Sequence, residues 1–523
     1  METLLMTTNP LFARDSQAVK SELQTAFCTA IDDLFGLAES GAKPRALEIE
    51  LWKQMLQLGR LVMAVMLAML CRRATERDLQ RRGLSQAQVT LRMDEDYWAT
   101  QTTTFGAVRF PTFAYRDRSM GVVVTRTPAR QEVLPLQSRC RSSELCLEWE
   151  ARLGSEFPFR RAQQALSFFT HDAVSLEDTT IASHMVAIGG MIDRTWLYRP
   201  VAEIREILES RATRDLKSDQ PILYFSSDAH ALRRYVDESW DASWKMANGI
   251  RLWCVDRRTG AVIHMGGEYT WGDCRVVGDI VEELSESGIL PRDGDYGDGV
   301  TSELVAITDG MEWLEEHLLS RLPWAQRILD MYHVLEHVAE FAAACFGKAT
   351  QKARKWYDDA ARLLLGKKRR KPTRKARRGH RKNRKRKMLE HRAAVAANSP
   401  DFHAGRALLN QMLAQHEDLN TDKQFAAFDS LIGYLDHNCY RMDYHLYRSR
   451  GLQIGSGAME SLHRIASQVR LKIPGGRWLH STAAAIFNLR MMALVDRWDE
   501  FWAQSDLSEM LVEAFEIRAG QAS

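Results

Sequence analysis

From Pro44 to Gly83 the chain reads PRALEIELWKQMLQLGRLVMAVMLAMLCRRATERDLQRRG, with apolar residues returning every three or four positions. That spacing predicts one long amphipathic helix, and its apolar face is wide enough for either a core or a dimer surface. Residues 104–135 change to short alternating runs broken by turn residues, the pattern of a small β unit. FRRAQQALSFFTHDAVSLEDTTIASHMVAIGG then predicts helix, turn and helix, with Ser175 in place to cap the second. Such a pair serves as a DNA-reading helix-turn-helix in some proteins and as ordinary packing in others.

From residue 221 the texture becomes alternating. PILYFSSDAH predicts a strand ending near Asp228, and RLWCVDRRTGAVIHMGGEY predicts a hairpin turning at Thr259-Gly260. A helix follows in CRVVGDIVEELSESGI, then a strand in SELVAITDG running into a helix. AQRILDMYHVLEHV supplies another short strand and the start of a further helix. The order strand, hairpin, helix, strand, helix, strand, helix predicts an α/β fold: a mixed sheet with a parallel portion and helices on its faces. Strand signals then stop, and helices run to about residue 450. The resulting division is a mainly helical N-terminal region (1–103), a small β and loop unit (104–150) and a helical segment (151–216). After these come a first core part (217–345), an all-helical insertion (346–450) and a last core part (451–523).

Two carboxylates are placed at predicted strand ends. Asp228 closes the first strand, and Asp309, followed by Gly310, closes the strand LVAIT. Ligands of open α/β sheets collect beyond that edge, and side chains on adjacent strands lie close enough to grip a cation together. A helix cap or a turn explains each Asp singly. In GLQIGSGAMESLHRIASQVRLKIPGGRW, Glu460 lies in the first turn of a predicted helix with Arg464 one turn on. An ordinary ion pair at a helix start accounts for those two as well.

Composition narrows the class. The 523 residues are 45% hydrophobic, enough for sizeable cores, and the longest apolar run, LVMAVMLAMLC, falls short of the roughly 20 residues a bilayer needs. METLLMTTNPLFARD lacks the pattern of a signal peptide. Eight scattered cysteines without a CxxC pair argue against a disulfide framework or a structural zinc site and fit a reducing, cytoplasmic setting. The net charge of +3 is unevenly spread. KKRRKPTRKARRGHRKNRKRK (367–387) holds 15 of the 71 basic residues and no acid, leaving 56 against 68 acidic residues elsewhere. A polycation on an acidic body points to phosphate binding, because each phosphate neutralised releases counterions.

Taken in order, ITDG, ILDMYHVLEHV and GSGAMESLHR followed by VRLKIPGGRW resemble the DDE transposases of bacterial insertion sequences. The closest group is the ISKra type, related to Mutator-like transposases. The resemblance covers roughly residues 221–500. It implies a ribonuclease-H-like catalytic domain whose mixed sheet is interrupted by an all-helical insertion before the final Glu. The separations fit: 81 residues from Asp228 to Asp309, and 151 from Asp309 to Glu460. Asp309 then matches the second catalytic Asp, Glu460 the final Glu and Asp228 the first. Related sequences usually carry Asp-Gly at that first position, where this one has Asp228-Ala229, so Asp237 and Asp241 remain rivals while Asp256 lies too far along the next strand. Asp330 and His333 match the family's accessory Asp-x-x-His element.

The implied cofactor is a pair of Mg²⁺ or Mn²⁺ ions held by Asp228, Asp309 and Glu460, since hard oxygen ligands select such cations. The implied partner is double-stranded DNA, both the element's terminal repeats and the target, handled by a homodimer or higher oligomer in the bacterial cytoplasm, with no membrane. Lys367, Lys368, Arg369, Arg370, Lys371, Arg374, Lys375, Arg377, Arg378, Arg381 and Lys382 are the expected DNA clamp. Arg464, Arg470, Lys472 and Arg477 are expected to add contacts, and Trp478 either stacks on an unpaired base or packs in a core. Two rivals stand beside this reading. One is a nucleic-acid-binding protein that keeps the fold without catalysis. The other is a zinc protease, because His333, Glu336 and His337 form the pattern H-x-x-E-H.

Overall fold

The long helical pattern forms a single helix, Pro44–Arg81, whose first turn carries the proline that needs no hydrogen-bond donor there. In the computed structural model, residues 16–85, 88–92, 95–118, 123–137, 139–236, 241–271, 275–365 and 404–521 are described. They fall into two units: Met1–Ile192, Ser481–Arg490 and Trp498–Ser523 make the first, Asp193–His480 and Met491–Arg497 the second.

In the first unit Ala64, Leu67, Ala68 and Cys71 of the long helix share a core with Val108, Phe110, Phe113 and Leu134. Among the described helices only Pro44–Arg81 is long and apolar enough to cross a membrane by length and composition, and 39% of that apolar window is buried. Strands begin earlier than residue 104: β1 (Val89–Arg92) and β2 (Trp98–Thr103) lie inside the stretch read as helical. β2 pairs with β3 (Gly106–Pro111), and β4 (Ala114–Asp117) lies between β1 and β5 (Val124–Arg126), all antiparallel.

The expected helix pair exists as Phe159–Phe169 and Asp178–Met191, but the residue before the second helix is Glu177, so Ser175 does not cap it. That second helix is buried without a break from His184 to Gly189. A groove-reading helix needs an open face bearing donors. Here the last turns are packed away, and the start carries Glu177 and Asp178.

The second unit is built on one five-stranded sheet. Its strands are β6 (Ile222–Val236), β7 (Asp241–Val255), β8 (Val262–Trp271), β9 (Glu303–Thr308) and β10 (Gln326–Leu329). The order is β10-β9-β6-β7-β8, with β6, β7 and β8 antiparallel in turn and β9 and β10 parallel to β6. The mixed α/β architecture and its element order are those the sequence predicts. Strand β6 is longer than expected. It runs eight residues past Asp228, paired there with β7 and bridged at Arg234 to Trp478.

Helices Gln351–Leu365, Ala404–Gln415, Asp422–Asn438 and Tyr444–Arg450 follow the sheet. They are not a detached lobe. Trp356, Leu408, Leu431 and Leu435 join Ile307, Ile328 and Val334 in one core. The basic run 367–387, with every DNA-clamp residue named in it, lies outside the described residues.

Candidate functional site

Parallel pairing of β6 with β9 keeps a constant offset of 81 residues, from Ile222 opposite Glu303 to Phe225 opposite Ala306. Asp228 and Asp309 lie three residues beyond the last pair of that ladder, near enough for the charge of Asp228 to act on Asp309. The Ser226 hydroxyl holds the two strands by donating to the Ile307 carbonyl at 2.7 Å. Two acids far apart in sequence therefore come near each other where the parallel sheet ends, the edge at which such sheets present ligands.

Their environments differ. Burial works to raise the Asp228 carboxyl, but His463 and the Ala229 N–H, 2.7 Å from Asp228 Oδ1, outweigh it and hold the group below its usual range. For Asp309 burial prevails. Together with the charge of Asp228 it raises that carboxyl, against the opposing pull of the Met311 N–H, His333 and Arg441. Asp309 is not the helix cap: Met311 fills that position before Glu312–His317, and Asp309 Oδ1 accepts its N–H at 3.1 Å.

Gly310 answers for the close approach beside Asp309. Its φ is +91°, and a Cβ there would lie 2.7 Å from Leu329 Cδ1 and 3.1 Å from the Tyr434 ring. Tyr434 comes from the helical insertion and donates its hydroxyl to the Asp309 carbonyl at 2.8 Å. Buried Arg441 donates to Thr308 Oγ1 at 3.1 Å. Nothing in the sequence pattern marks either of these supports.

Asp330 follows β10 and is fully buried. One oxygen accepts the Tyr332 N–H at 2.7 Å, capping the helix Met331–Phe346. The other accepts both the N–H and the hydroxyl of Ser456. The Met331 N–H also donates to the Ile454 carbonyl at 3.0 Å. These bonds fix the GSG segment that leads into Gly457–Leu462, the helix carrying Glu460. His333, half-buried, is near enough for its charge to act on both Asp228 and Asp309.

The Glu460 helix sits against β7 at Gly249, the residue paired with Asp228. A Cβ at Gly249 would lie 2.5 Å from Met459 Cε and 3.0 Å from His463 Cε1. Below it, residues His463–Gln468 form a π-helix, a widened turn that recurs at functional sites. Both His463 and Ser467 are thereby turned toward β6. His463 Nε2 lies 3.3 Å from Asp228 Oδ2, and its Nδ1 lies 3.1 Å from the Tyr269 hydroxyl. His230 Nε2 lies 2.6 Å from Ser467 Oγ. Burial first, then the charges of His463 and Lys472, push His230 down to about 3, so it is neutral. Sequence reasoning missed His463 altogether. Its one signal is a position three residues after Glu460 on the same helix.

Glu460 itself is exposed. Among the described residues no three His, Cys, Asp or Glu side chains are gathered as a ligand set. Asp228 thus lies within electrostatic reach of Asp309, and the Glu460 helix packs against β7 beside Asp228, without closing three carboxylates on one point. Hard oxygen donors, one of them under strain from its neighbour's charge, are a donor set that suits a divalent cation.

The remaining candidates divide. Asp241 opens β7 at the far end of the hairpin, eight residues or roughly 27 Å of strand from the level of Asp228, and Asp237 lies outside the described residues. Asp256 makes the β7–β8 turn, accepting the N–H groups of Arg258 and Thr259 and pairing with Arg211. Arg464, Lys472 and Arg477 are exposed. Two expectations are corrected. Trp478 is 8% exposed, donates to the Leu471 carbonyl at 2.8 Å and lies under Arg470, whose guanidinium is 4.9 Å from the ring. Arg470 is fully buried as well. Neither reaches a nucleic acid, because each is consumed in packing. In the H-x-x-E-H segment the two histidines face different acids, His333 toward Glu336 and His337 toward Glu340, and His337 packs on Tyr434.

No family model matches the chain, and no curated protein sequence matches it.

Proposed function

We propose that this chain is a DDE-type DNA transposase that cuts the ends of its insertion sequence and joins them to target DNA. The observation that supports the reading is the charge of Asp228 acting on Asp309 just past the end of the β6–β9 ladder. The strand order, with three antiparallel strands first and two further strands added parallel on the other side of the first, agrees with a ribonuclease-H-like domain. The helical segment before Glu460 agrees with the insertion that the motif order implies.

In this reading Asp228, Asp309 and Glu460 hold two Mg²⁺ or Mn²⁺ ions, with Glu460 swinging in from its exposed position. When bound, such a pair activates the attacking oxygen and stabilises the leaving one in an in-line displacement. The chain's own residues prepare that geometry. Asp228 is kept ionised by His463 and Ala229. Asp330 anchors the segment that carries Glu460. Tyr434 and Arg441 brace the turn at Asp309. Water attacks the phosphodiester at each element end, the P–O bond breaks, and a 3′-hydroxyl is freed. That hydroxyl then attacks a target phosphodiester in the same site. Double-stranded DNA is the substrate, two ends call for at least a dimer, and the setting is the bacterial cytoplasm and its nucleoid.

The second reading, a DNA-binding protein without catalysis, draws on the exposure of Glu460 and the Asp228-Ala229 sequence. One experiment separates the two: incubation of the full chain with labelled element ends and Mn²⁺. Nicks that disappear in Asp309→Asn, with end binding retained, support the transposase. Binding without nicks supports the second reading, and nicking by the Asn variant removes Asp309 from the site.

A further inference from the structure

A second cluster of reactive side chains lies in the N-terminal unit, among residues the DNA reading does not use. Cys140 sits on the loop before helix Glu144–Glu156, Glu150 on that helix, and His184 on helix Asp178–Met191. Cys140 Sγ is 3.5 Å from His184 Nε2, and His184 Nδ1 is 2.6 Å from Glu150 Oε2. Glu150 is fully buried, and its other oxygen faces the Cys146 thiol at 3.5 Å. The Ser142 N–H points at the Cys140 sulfur from 3.4 Å. Two donors thus converge on one sulfur, and a buried carboxylate orients the imidazole behind it.

The arrangement opens on space. Cys140 lines a cavity of about 350 Å³ whose wall includes Thr100, Thr103, Ser142, Leu67 and Phe105. The Ser142 hydroxyl is buried in that wall, within reach of the Cys146 thiol. A nucleophile beside a cavity and a base held by a buried carboxylate are the parts of a thiol acyl-transfer site.

We propose that Cys140 is a nucleophile that passes its proton to His184 Nε2 and accepts an acyl group from a small ester or thioester bound in this cavity. The sulfur attacks the acyl carbonyl carbon and a C–S bond forms. The bond to the leaving oxygen or sulfur breaks, and the leaving group takes the proton held on His184 Nε2. Glu150 is a positioning residue that holds the imidazole's Nδ1. No oxidant is consumed.

The test uses the full chain and p-nitrophenyl acetate. Expected are a burst of one nitrophenolate per chain and, on peptide mapping, acetyl on Cys140. Cys28, which is exposed, serves as the internal reference, and acetylation of Cys140 is expected to be at least about tenfold faster. Cys140→Ser and His184→Gln are each expected to remove the burst. If His184→Gln fails to fold, the ratio of Cys140 to Cys28 in the unaltered chain still decides. Labelling of Cys28 first, or no acetyl on Cys140, overturns the proposal.

Discussion

Asp330 holds Ser456 by two hydrogen bonds from 126 residues away, taking both its N–H and its hydroxyl on one carboxylate oxygen. The other oxygen caps the following helix through Tyr332. Asp330→Ala leaves these buried donors without an acceptor, at about 1–3 kcal/mol for each group left unpaired. The expected loss is about 3 kcal/mol in urea unfolding, read as a lower midpoint at unchanged slope. Ser456→Ala removes only the hydroxyl and is expected to lose about 1 kcal/mol. Equal losses from the two variants would mean that Asp330 does not organise the segment.

Asp228 and Asp309 repel each other in the absence of a cation, and burial adds to the cost of charging Asp309. Asp309→Asn keeps the shape and removes that charge. At neutral pH without divalent ions it is expected to stabilise the chain, because the fold disfavours the charged carboxyl there. Mn²⁺ is expected to raise the melting temperature of the unaltered chain and to leave Asp309→Asn nearly unmoved, since a ligand stabilises only the state that binds it. A variant less stable than the parent, with the same response to Mn²⁺, would show that Asp309 is a structural residue.

Much of this site was readable before any coordinates. The 81-residue spacing of Asp228 and Asp309 equals the strand register, because a βαβ-type crossover fixes which residues end side by side. Element order was readable for the same reason, since strands and helices alternate with clear periodicity. What sequence concealed depends on packing between distant residues. Gly249 leaves room for Met459 and His463, and His463 comes onto Asp228. Trp478 looks like a stacking residue beside Arg477, yet its indole N–H is taken by the Leu471 carbonyl. The end of β6 was misjudged because its pairing with β9 stops while its pairing with β7 continues.

His184 supplies a pH-dependent term in the N-terminal unit. Burial disfavours its charge, but its contacts with Cys140 and then Glu150 prevail and push it up to about 10, from an ordinary value of 6.5. The fold therefore favours the protonated imidazole. That stabilisation is fully present below about pH 6.5 and is lost as pH rises through about 10. Unfolding midpoints are expected to fall between pH 7 and 10 in the unaltered chain and to fall less steeply in Glu150→Gln, which removes the facing carboxylate. Parallel pH profiles for the two would show that the pair is not charged.

Basic residues of the second unit separate into packed and exposed sets, and the two should respond differently to substitution. Trp478→Ala opens a cavity under Arg470 and is expected to lose about 3–5 kcal/mol of stability, so any loss of DNA binding follows from damage to the fold. Arg464 and Arg477 are exposed, and serine at either is expected to leave stability unchanged. If each neutralises one phosphate, the slope of log affinity against log salt shallows by about 0.9 per substitution. Serine in place of the arginines of 367–387 is expected to shallow it by several times that amount. The measurement is fluorescence anisotropy of labelled duplex across a salt series. An unchanged slope in the multiply substituted chain would make the polycation a bystander, and an unchanged slope in the two single variants would place the duplex away from the Glu460 helix.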